Sequence, residues 1–305
     1  MKYVAFFLNV LVGGTFLLSA YFKLLPIDFF EAKISLFGIE GVLGAILARL
    51  IIGVELIIGL FLIAQITFDK RLQKIILAVL SGFILINFID YLRYGNDTNC
   101  GCMGTVVSMS PLVSVLKNVI LILCTAISGK FSQAEWRLPR LTALLFAIIP
   151  LGGVFIYSPV YIAADSTMPK KGSRPDFSIM NGHPGFKGKT YNEDLSKGKK
   201  IVAFLSLTCP HCKLAAFKLN NYKKSDPSLP IYFILNGDST DFSSFNEIMG
   251  KPDVAMAHFN GSADYGEMSG YDLPAIFLMN NGVVEVQLNN GSLSRSAINK
   301  WYSKK

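Results

Sequence analysis

The sequence predicts a multi-pass α-helical membrane domain of about five transmembrane helices, followed by an α/β domain outside the lipid. Hydrophobic residues make up 51% of the 305-residue chain and charged residues only 16%, whereas a soluble protein is about a quarter charged. The long apolar runs are confined to residues 1–163, and residues 164–305 have the mixed composition of a soluble domain. The length is sufficient for two domains, one in lipid and one in water.

Five segments are long and apolar enough to cross a bilayer, which takes about 20 residues of helix. They lie at 3–24, 43–67, 72–93, 107–128 and 141–163. The first is interpreted as a retained span and not as a cleaved signal peptide, because the run is long and no small-residue cleavage site follows it. We therefore expect a four-helix membrane domain at 1–130, a fifth helix at 141–163, a linker at 164–175 and the second domain at 176–305.

Lysine and arginine in the loops between the spans predict the orientation. Three basic residues lie in each of the loops at 68–74 and 129–140, whereas the loop at 94–106 has none beyond the bordering Arg93 and the loop at 25–42 has only Lys33. The positive-inside rule then places the N-terminus in the cytoplasm. Five spans place the second domain on the periplasmic side of a bacterial inner membrane. We attribute the net charge of +8 to this bias, and we expect membrane lipid and not nucleic acid as a partner.

The five cysteines form two close pairs and one single residue. The pairs are Cys100-Gly101-Cys102 and Cys209-Pro210-His211-Cys212, and the single residue is Cys124. Such close spacing indicates redox chemistry or metal binding and not a disulfide scaffold. The predicted orientation places both pairs on the outer face. Cys124 has no cysteine partner at the inner end of its span, and we interpret it as an apolar-like buried thiol.

The C-x-x-C pair is predicted to begin a helix directly after a strand. A thiol in the first turn of a helix lies near the positive end of the helix dipole, which favours the thiolate. Cys209 is therefore the candidate nucleophile, and Cys212, one turn later, is the resolving thiol. A protonated His211 would stabilise the thiolate further and make the disulfide more oxidising. A structural disulfide and half of a zinc site are the alternatives for this motif.

The elements around this pair predict a mixed-sheet α/β domain. Strands are expected at 201–205 and 231–235, helices at 213–222, 241–249 and 292–303, and a hairpin at 275–286.

Residues 175–303 resemble thioredoxin-fold domains of the TlpA-like periplasmic kind. The likeness rests on the strand before the C-x-x-C pair, on Pro175-Asp176-Phe177-Ser178, and on Leu273-Pro274 before a strand. The resemblance implies that Pro274 is a cis-proline that faces the active cysteines, and the Pro-His dipeptide between the cysteines is that of DsbA-type oxidases.

The C-G-C pair lies between the third and fourth predicted spans. A disulfide between Cys100 and Cys102 closes a very small ring, which we expect to be strained and therefore labile and oxidising. The neighbouring glycines permit the tight backbone that this ring needs. The alternatives are a reduced loop pair and a soft-metal site for Cu(I) that includes Met103.

Two ionisable residues lie inside the second predicted span, where such groups are functional candidates. Arg49 and Glu55 are six positions apart, so they do not share a helix face and are expected to pair with other helices. We predict that both are cofactor-binding residues, with Arg49 helping to hold a quinone or the thiolate of the C-G-C pair. The alternative is a polar contact between spans. That is also our interpretation of Lys23, Asn87, Asp90, Lys117 and Asn118.

Residues 1–130 resemble the MauE family, which is related to DoxX-like membrane proteins. The likeness rests on the four spans, on Arg-Leu-Ile-Ile-Gly-Val-Glu-Leu at 49–56 and on Cys-Gly-Cys-Met-Gly at 100–104. MauE acts with a thioredoxin-like partner, MauD, in making disulfides during maturation of methylamine dehydrogenase. The resemblance implies a fusion of such a pair, in which the helix at 141–163 brings the second part outside.

The leading hypothesis is an oxidative relay. Cys209 and Cys212 would take electrons from client thiols and pass them to Cys100 and Cys102, and a membrane quinone would accept them, as in DsbB-like systems. No covalently bound cofactor is expected. The alternatives are a reductive thiol conduit, for which the sequence has no inner cysteine pair, and a copper-handling module.

Overall fold

The computed structural model describes residues 2–65, 70–104, 107–131, 140–160, 172–180, 186–187, 195–260, 262–270 and 272–303. The chain divides into two compact units, Met1–Tyr161 and Ile162–Lys305. The boundary agrees with the change in composition. Most of the predicted linker, residues 164–171, lies outside the described residues.

Four long helices of the first unit confirm the first four predicted spans. They are α1 (Lys2–Leu24), α3 (Gly41–Ile63), α4 (Lys70–Tyr94) and α5 (Pro111–Phe131). Among the described residues, these four helices are long and apolar enough to cross a membrane. At about 1.5 Å per residue, their 21 to 25 residues match or exceed a hydrocarbon core of about 30 Å.

The fifth predicted span corresponds to a shorter helix, α6 (Arg140–Tyr157), which contains Pro150. Its apolar part, Leu144–Tyr157, is shorter than the four long helices, and residues 161–163 of the prediction lie outside the described residues. α6 packs against α3, where Leu151 contacts Gly53. It therefore belongs to the membrane unit.

Many large apolar side chains of these helices are exposed on the protein surface. Examples are Phe7, Leu92, Leu116, Ile149 and Ile156. Contiguous apolar surface of this extent is rare on proteins in water, so these side chains face lipid.

The segment predicted as a loop at 25–42 contains a helix, α2 (Ile27–Ser35), so the loop prediction was wrong there. Its nine residues are too few for a span, and three of them are charged, so no hydropathy run marked it. Packing makes it a helix: Phe29 and Lys33 are buried, and Lys33 pairs with Asp90 of α4.

The second unit has a six-stranded sheet in the order β1-β4-β3-β2-β5-β6. β3 is parallel to β2 and β4, whereas β5 is antiparallel to β2 and β6, and β1 is antiparallel to β4. The strands are β1 (Phe186–Lys187), β2 (Lys199–Ser206), β3 (Ile231–Asn236), β4 (Ala255–Phe259), β5 (Ala275–Asn280) and β6 (Val283–Leu288). The helices are α7 (Pro210–Ser225), α8 (Phe242–Met249), α9 (Ser262–Ser269) and α10 (Arg295–Tyr302). This arrangement confirms the predicted mixed-sheet α/β fold.

Three elements of this sheet domain were not predicted: β1, β4 and α9. β4 reads Ala-Met-Ala-His-Phe, which lacks the apolar run of a buried strand, and it forms because it pairs with β3. α9 carries the buried Tyr265, whose hydroxyl lies 3.1 Å from the carbonyl oxygen of Leu205 and 2.9 Å from that of Ile234. α9 is therefore fixed to the sheet by contacts that its own sequence does not indicate.

The core of this domain is built around Phe204 of β2, which is completely buried. Its ring lies 5.3 to 6.4 Å from the rings of Phe177, Tyr265 and Phe277. Such aromatic contacts add to the stabilisation from burial. They join the residues before the sheet, the sheet itself and α9 into one core.

In the membrane unit, two glycines allow α1 and α3 to approach closely. A Cβ atom at Gly13 or at Gly59 would lie 2.9 Å from the backbone oxygen of the other glycine. Small residues at such positions let helix backbones come into contact in lipid.

We predict that Gly13→Ala destabilises the membrane unit by about 1–3 kcal/mol, because the added methyl group overpacks the contact between α1 and α3. The neighbouring Gly14 has open space where a Cβ would lie, so Gly14→Ala is the matched control and should not destabilise. Thermal unfolding in detergent, followed by circular dichroism, measures both. Equal midpoints for the two variants would contradict the prediction.

Candidate functional site

The C-x-x-C pair lies where β2 ends and α7 begins. Cys209 is the N-cap residue of α7 and has extended backbone angles, with Pro210 as the first helical residue. Its sulfur accepts the backbone N–H of Cys212 at 3.4 Å. The first N–H groups of a helix have no intrahelical acceptor, and the Cys209 sulfur supplies one. The predicted position of Cys209 at a helix N-terminus is confirmed.

The two sulfurs of this pair differ in exposure. Cys209 is half-buried and His211 is exposed, whereas Cys212 is completely buried. Burial raises the pKa of the Cys212 thiol, and the neighbouring Cys209 raises it further. The geometry thus provides one accessible sulfur and one protected, protonated sulfur, which suits a nucleophile and a resolving thiol.

Pro274 lies at the same edge of the sheet as the cysteines. The Leu273–Pro274 peptide bond is cis, which confirms the isomer implied by the resemblance. Pro274 directly precedes β5, and the antiparallel register pairs Ala275 with Phe204. The start of β5 therefore lies beside the end of β2, from which the chain continues to Cys209.

Tyr265 is a residue of this site that the sequence analysis missed. Burial, followed by the nearby Cys212 sulfur, raises the pKa of its phenol, so the hydroxyl stays a hydrogen-bond donor. A tyrosine within Ala-Asp-Tyr-Gly gives no signal of such a role, which only the packing of α9 on the sheet reveals.

The C-G-C loop has a tight backbone that one asparagine holds. Asn99 accepts the N–H of Gly101 at 2.9 Å and donates to the carbonyl of Gly104 at 3.3 Å. Gly101 and Gly104 have φ values of +71° and +62°, which favour glycine. The role of these glycines in a Cys100–Cys102 disulfide ring stays a prediction, because both cysteines are free thiols here. A Cβ atom at Gly104 would lie 2.0 Å from the backbone oxygen of Phe22, so the loop lies directly on the end of α1.

Cys102 is the less buried residue of this second pair. Cys100 is 4% exposed, whereas Cys102 is half-buried. The hydroxyl of Ser114 donates to the Cys102 sulfur at 3.0 Å, and the side-chain oxygen of Asn87 lies 3.1 Å from that sulfur. Residues of α4 and α5 therefore reach the same atom.

Charge also distinguishes the two sulfurs. A hydrogen bond with Cys100, and then the positive charges of Lys23 and Lys117, lower the pKa of Cys102 to about 5, although its burial acts in the opposite direction. The same hydrogen bond raises the pKa of Cys100 well above its usual range. Of the two sulfurs, Cys102 is therefore the one whose surroundings favour the thiolate form.

A small cavity lies beside Cys102, with about 20 Å³ of space, roughly enough for one water-sized molecule. Glu55 lines it and pairs with Lys23 of α1 at 2.5 Å, which confirms that Glu55 pairs with another helix. The other lining residues are Thr15, Phe16, Ser19, Lys23, Leu80, Phe83, Cys102, Lys117, Asn118 and Leu121.

Arg49 also pairs with residues of other elements, as expected, but these residues do not line the cavity beside Cys102. Its guanidinium forms an ion pair with Glu31 of α2 and donates to the carbonyl oxygens of Ser158 and Pro159. Arg49 is not among the described residues that line the cavity. Lys23 and Lys117 are therefore the lysines that line the cavity beside Cys102, and the role of Arg49 in holding a quinone stays a prediction.

The structure also bears on the expectation for Cys124. Cys124 of α5 is half-buried and packs beside an apolar cluster that includes Phe16 and Leu121, as an apolar-like thiol does. Within the described ranges, no group of three or more His, Cys, Asp and Glu side chains could hold a metal ion.

The sequence analysis assigned several residues near Cys102 only to contacts between spans. They are Lys23, Asn87, Lys117 and Asn118. The general rule that an ionisable residue within a span is a functional candidate could have identified the two lysines. The roles of Ser19 and Ser114 gave no such signal, because serine is common at helix contacts in membranes.

Residues 1–131 match the family described as "Methylamine utilisation protein MauE". The chain joins a MauE-like membrane domain to a thioredoxin-fold domain. It is 28% identical over 280 residues to "Protein TlpB" of Flavobacterium psychrophilum, a match that covers 77% of this chain and 76% of the relative. The apolar helices and these likenesses make it a bacterial membrane protein.

A solved structure also resembles part of this chain. It is a secreted Mycobacterium tuberculosis disulfide oxidoreductase, described as homologous to E. coli DsbE, and it shares 15% identity with a TM-score of 0.29. The match covers 35% of this chain and 82% of that one. The strand order, the register and the cis-proline of the second domain themselves indicate a thioredoxin fold.

We predict that iodoacetamide modifies Cys209 at least about tenfold faster than Cys212 in the reduced protein at pH 7 to 8. Cys209 is accessible at a helix N-terminus, whereas the raised pKa of the buried Cys212 keeps it protonated. Peptide mass spectrometry of timed samples gives both rates. Equal rates in folded protein would contradict the assignment of nucleophile and resolving thiol.

We predict that Gly104→Ala opens the C-G-C loop and lets iodoacetamide reach Cys100, because the methyl group would meet the Phe22 backbone. Gly95→Ala is the matched control: Gly95 has a φ of +75° but open space around a Cβ. Gly95→Ala should lower the free energy of unfolding by about 1–2 kcal/mol, because alanine is strained in the left-handed conformation. It should leave Cys100 protected from iodoacetamide. Equal modification of Cys100 in both variants would show that the contact with α1 does not hold the loop.

Proposed function

We propose that the protein is a membrane-bound thiol–disulfide oxidoreductase that oxidises client proteins. In this proposal Cys209 and Cys212 exchange disulfides with clients, and Cys100 and Cys102 pass the electrons to a membrane acceptor such as a quinone. One observation carries the proposal: each pair has one half-buried cysteine and one buried cysteine. That asymmetry is what a nucleophile and its resolving partner require.

The chemistry is two successive disulfide exchanges. A client thiolate attacks the Cys209–Cys212 disulfide, and the second client thiol then releases the client as a disulfide, which leaves Cys209 and Cys212 reduced. The Cys209 thiolate next attacks the Cys100–Cys102 disulfide, and Cys212 resolves the mixed disulfide. Two electrons thus move from client to the membrane pair, and the Cys209–Cys212 disulfide is restored.

The loop charges support an outer location for this chemistry. Lys33 was the basic residue counted in the predicted outer loop at 25–42, and it is buried against Asp90. Its charge is therefore compensated within the protein. This strengthens the difference in uncompensated basic charge between the inner loops and the outer loops. With α6 as a fifth crossing, the thioredoxin-fold domain faces the periplasm, and so does the C-G-C loop.

A quinone suits the last step because reduction to a quinol takes two electrons, which the reduced pair supplies, and two protons, one from the Cys100 thiol and one from solvent. The cavity beside Cys102 has room for about one water-sized molecule, which does not fit a quinone ring. The quinone is therefore proposed as an electron acceptor without an assigned binding site.

Thiol trapping in native membranes tests this proposal. We expect Cys209→Ser to leave Cys100 and Cys102 oxidised, because no electrons arrive, and Cys100→Ser to leave Cys209 and Cys212 reduced, because no electrons leave. Maleimide mass-tagging after acid quenching reports both states. Cys124→Ser is the matched control, since it removes a thiol that belongs to neither pair.

The opposite pattern has a distinct meaning. If Cys100→Ser leaves Cys209 and Cys212 oxidised, the membrane domain supplies electrons and the protein is a reductive conduit. If neither substitution changes the state of the other pair, the two pairs do not exchange electrons. Reduced protein in vesicles that ubiquinone and menaquinone never oxidise would remove the quinone from the proposal.

A further inference from the structure

Two lysines and one carboxylate surround Cys102 inside the membrane domain. Lys23 is 3% exposed, and its ammonium group donates to Glu55 at 2.5 Å and to Ser19 at 3.1 Å. Lys117 of α5 lines the same cavity as Cys102, Lys23 and Glu55. Without a charge on the sulfur, this cluster has two positive charges and one negative charge.

An uncompensated charge at such a site is expensive, because the protein and the lipid around it solvate ions poorly. A thiolate at Cys102 would supply the missing negative charge. The serine donor at the sulfur favours the same form, since Ser114 donates a hydrogen bond to it at 3.0 Å. Asn87, whose side-chain oxygen lies 3.1 Å from the sulfur, can accept the S–H of the protonated form.

We propose that Lys23 and Lys117 are the counter-ions of a Cys102 thiolate, and that Glu55 and Ser19 position Lys23 for this purpose. Cys102 is then the charged sulfur of the membrane pair and Cys100 is the protonated one. The inference rests on the proposed function only in treating these two cysteines as a redox pair.

The other charged groups around the loop do not share this role. The groups that shift the pKa of Cys102 are Lys23 from α1, Lys117 and Ser114 from α5, and Cys100 from its own loop, and Glu55 of α3 lines the same cavity. Lys33 of α2 lies close to Gly101, but its ammonium group pairs with Asp90 of α4 at 2.5 Å. Among the described residues, two buried lysine–carboxylate pairs therefore lie near this loop, and the pair of Lys23 and Glu55 lines the cavity beside the sulfur.

The carboxylate of Glu55 is only partly engaged by its lysine. Its Oε2 atom and the side-chain nitrogen of Asn118 are buried and have no hydrogen-bond partner among the described residues. Glu55 thus competes with the sulfur for Lys23, and removal of its charge should strengthen the pairing of Lys23 with the thiolate.

The charge balance has a consequence for electron transfer. When a dithiol reduces the Cys100–Cys102 disulfide, the S–S bond breaks and two electrons enter the pair. One proton from the dithiol remains on Cys100 and the other is released to solvent, because Cys102 stays a thiolate. Stabilisation of that thiolate favours the reduced pair, so the two lysines make the disulfide a better electron acceptor.

The test is the pH dependence of Cys102 alkylation in chemically reduced, full-length protein in nanodiscs, with neither client nor quinone present. In Lys23→Met and in Lys117→Met, we expect the alkylation rate at pH 6 to fall at least about threefold, because the titration midpoint moves up. In Glu55→Gln, we expect the midpoint not to rise, because the substitution removes a negative charge beside Lys23 and no positive charge. Lys23→Arg keeps the charge and should restore the wild-type midpoint.

Lys33→Met and Asp90→Asn are the matched controls, because they break the other buried pair and loosen the same loop. They change the rate at high pH if the loop opens, but they should leave the midpoint unchanged. The proposal is wrong if Lys33→Met moves the midpoint as far as Lys23→Met, or if Glu55→Gln moves it in the same direction as Lys23→Met. The alkylation experiment needs neither clients nor quinones. A protein that transfers no electrons can therefore still confirm or contradict the counter-ion proposal, and failure of the electron relay is detected separately by thiol trapping.

Discussion

The C-G-C loop depends on two buried lysines that neutralise carboxylates and also hold the backbone of the loop. Lys33 pairs with Asp90 and donates to the carbonyl oxygen of Asn99 at 3.2 Å. Lys23 donates to Ser19, whose hydroxyl lies 2.9 Å from the carbonyl oxygen of Cys102. A loop that joins two membrane helices has no sheet or helix ladder to satisfy its carbonyls. The contacts of Lys33 and Ser19 satisfy these carbonyl oxygens instead. The same contacts place two ammonium groups close to the cysteines.

The two cysteine pairs reach the same asymmetry by different means. In the thioredoxin-fold domain, backbone structure is sufficient: a strand delivers Cys209 to the N-terminus of α7, and the helix buries Cys212 one turn later. The C-G-C loop has no helix terminus of this kind, so side chains from α1, α4 and α5 perform the function, with Ser114 and Lys23 among them. The order along the chain is also reversed, since the less buried cysteine comes first in one pair and second in the other.

Hydropathy and spacing were sufficient to predict the parts of the fold that depend on local sequence. The four long spans, the strand before Cys209 and the hairpin at 275–286 all follow from runs or turn residues that can be read directly. α2 and β4 could not be predicted in this way. They are short and mixed in composition, and they form because α3 and β3 provide surfaces for them.

The residues of the candidate site also fall into those that the sequence predicts and those that only the tertiary structure reveals. The cysteines, Gly101 and Pro274 were identified because their residue types and spacing are themselves the signal. The sequence did not identify which positively charged side chain lies near Cys102, because Arg49 and Lys23 are both single charges within spans. Only the tertiary structure shows that Glu31 and the end of α6 engage Arg49, whereas Lys23 lies beside the sulfur. A pairing between distant helices leaves no periodicity in the sequence to detect.

The contacts of the C-G-C loop bear on how the protein is made at the membrane. Most of its partners precede it in the chain: Phe22 and Lys23 end α1, and Lys33, Glu55 and Asp90 follow before Cys100. Chains emerge from the ribosome N-terminus first, so these helices are available when the loop emerges. The loop can then dock on a surface that already exists, and α5, which brings Ser114 and Lys117, completes the site as the next segment to be inserted.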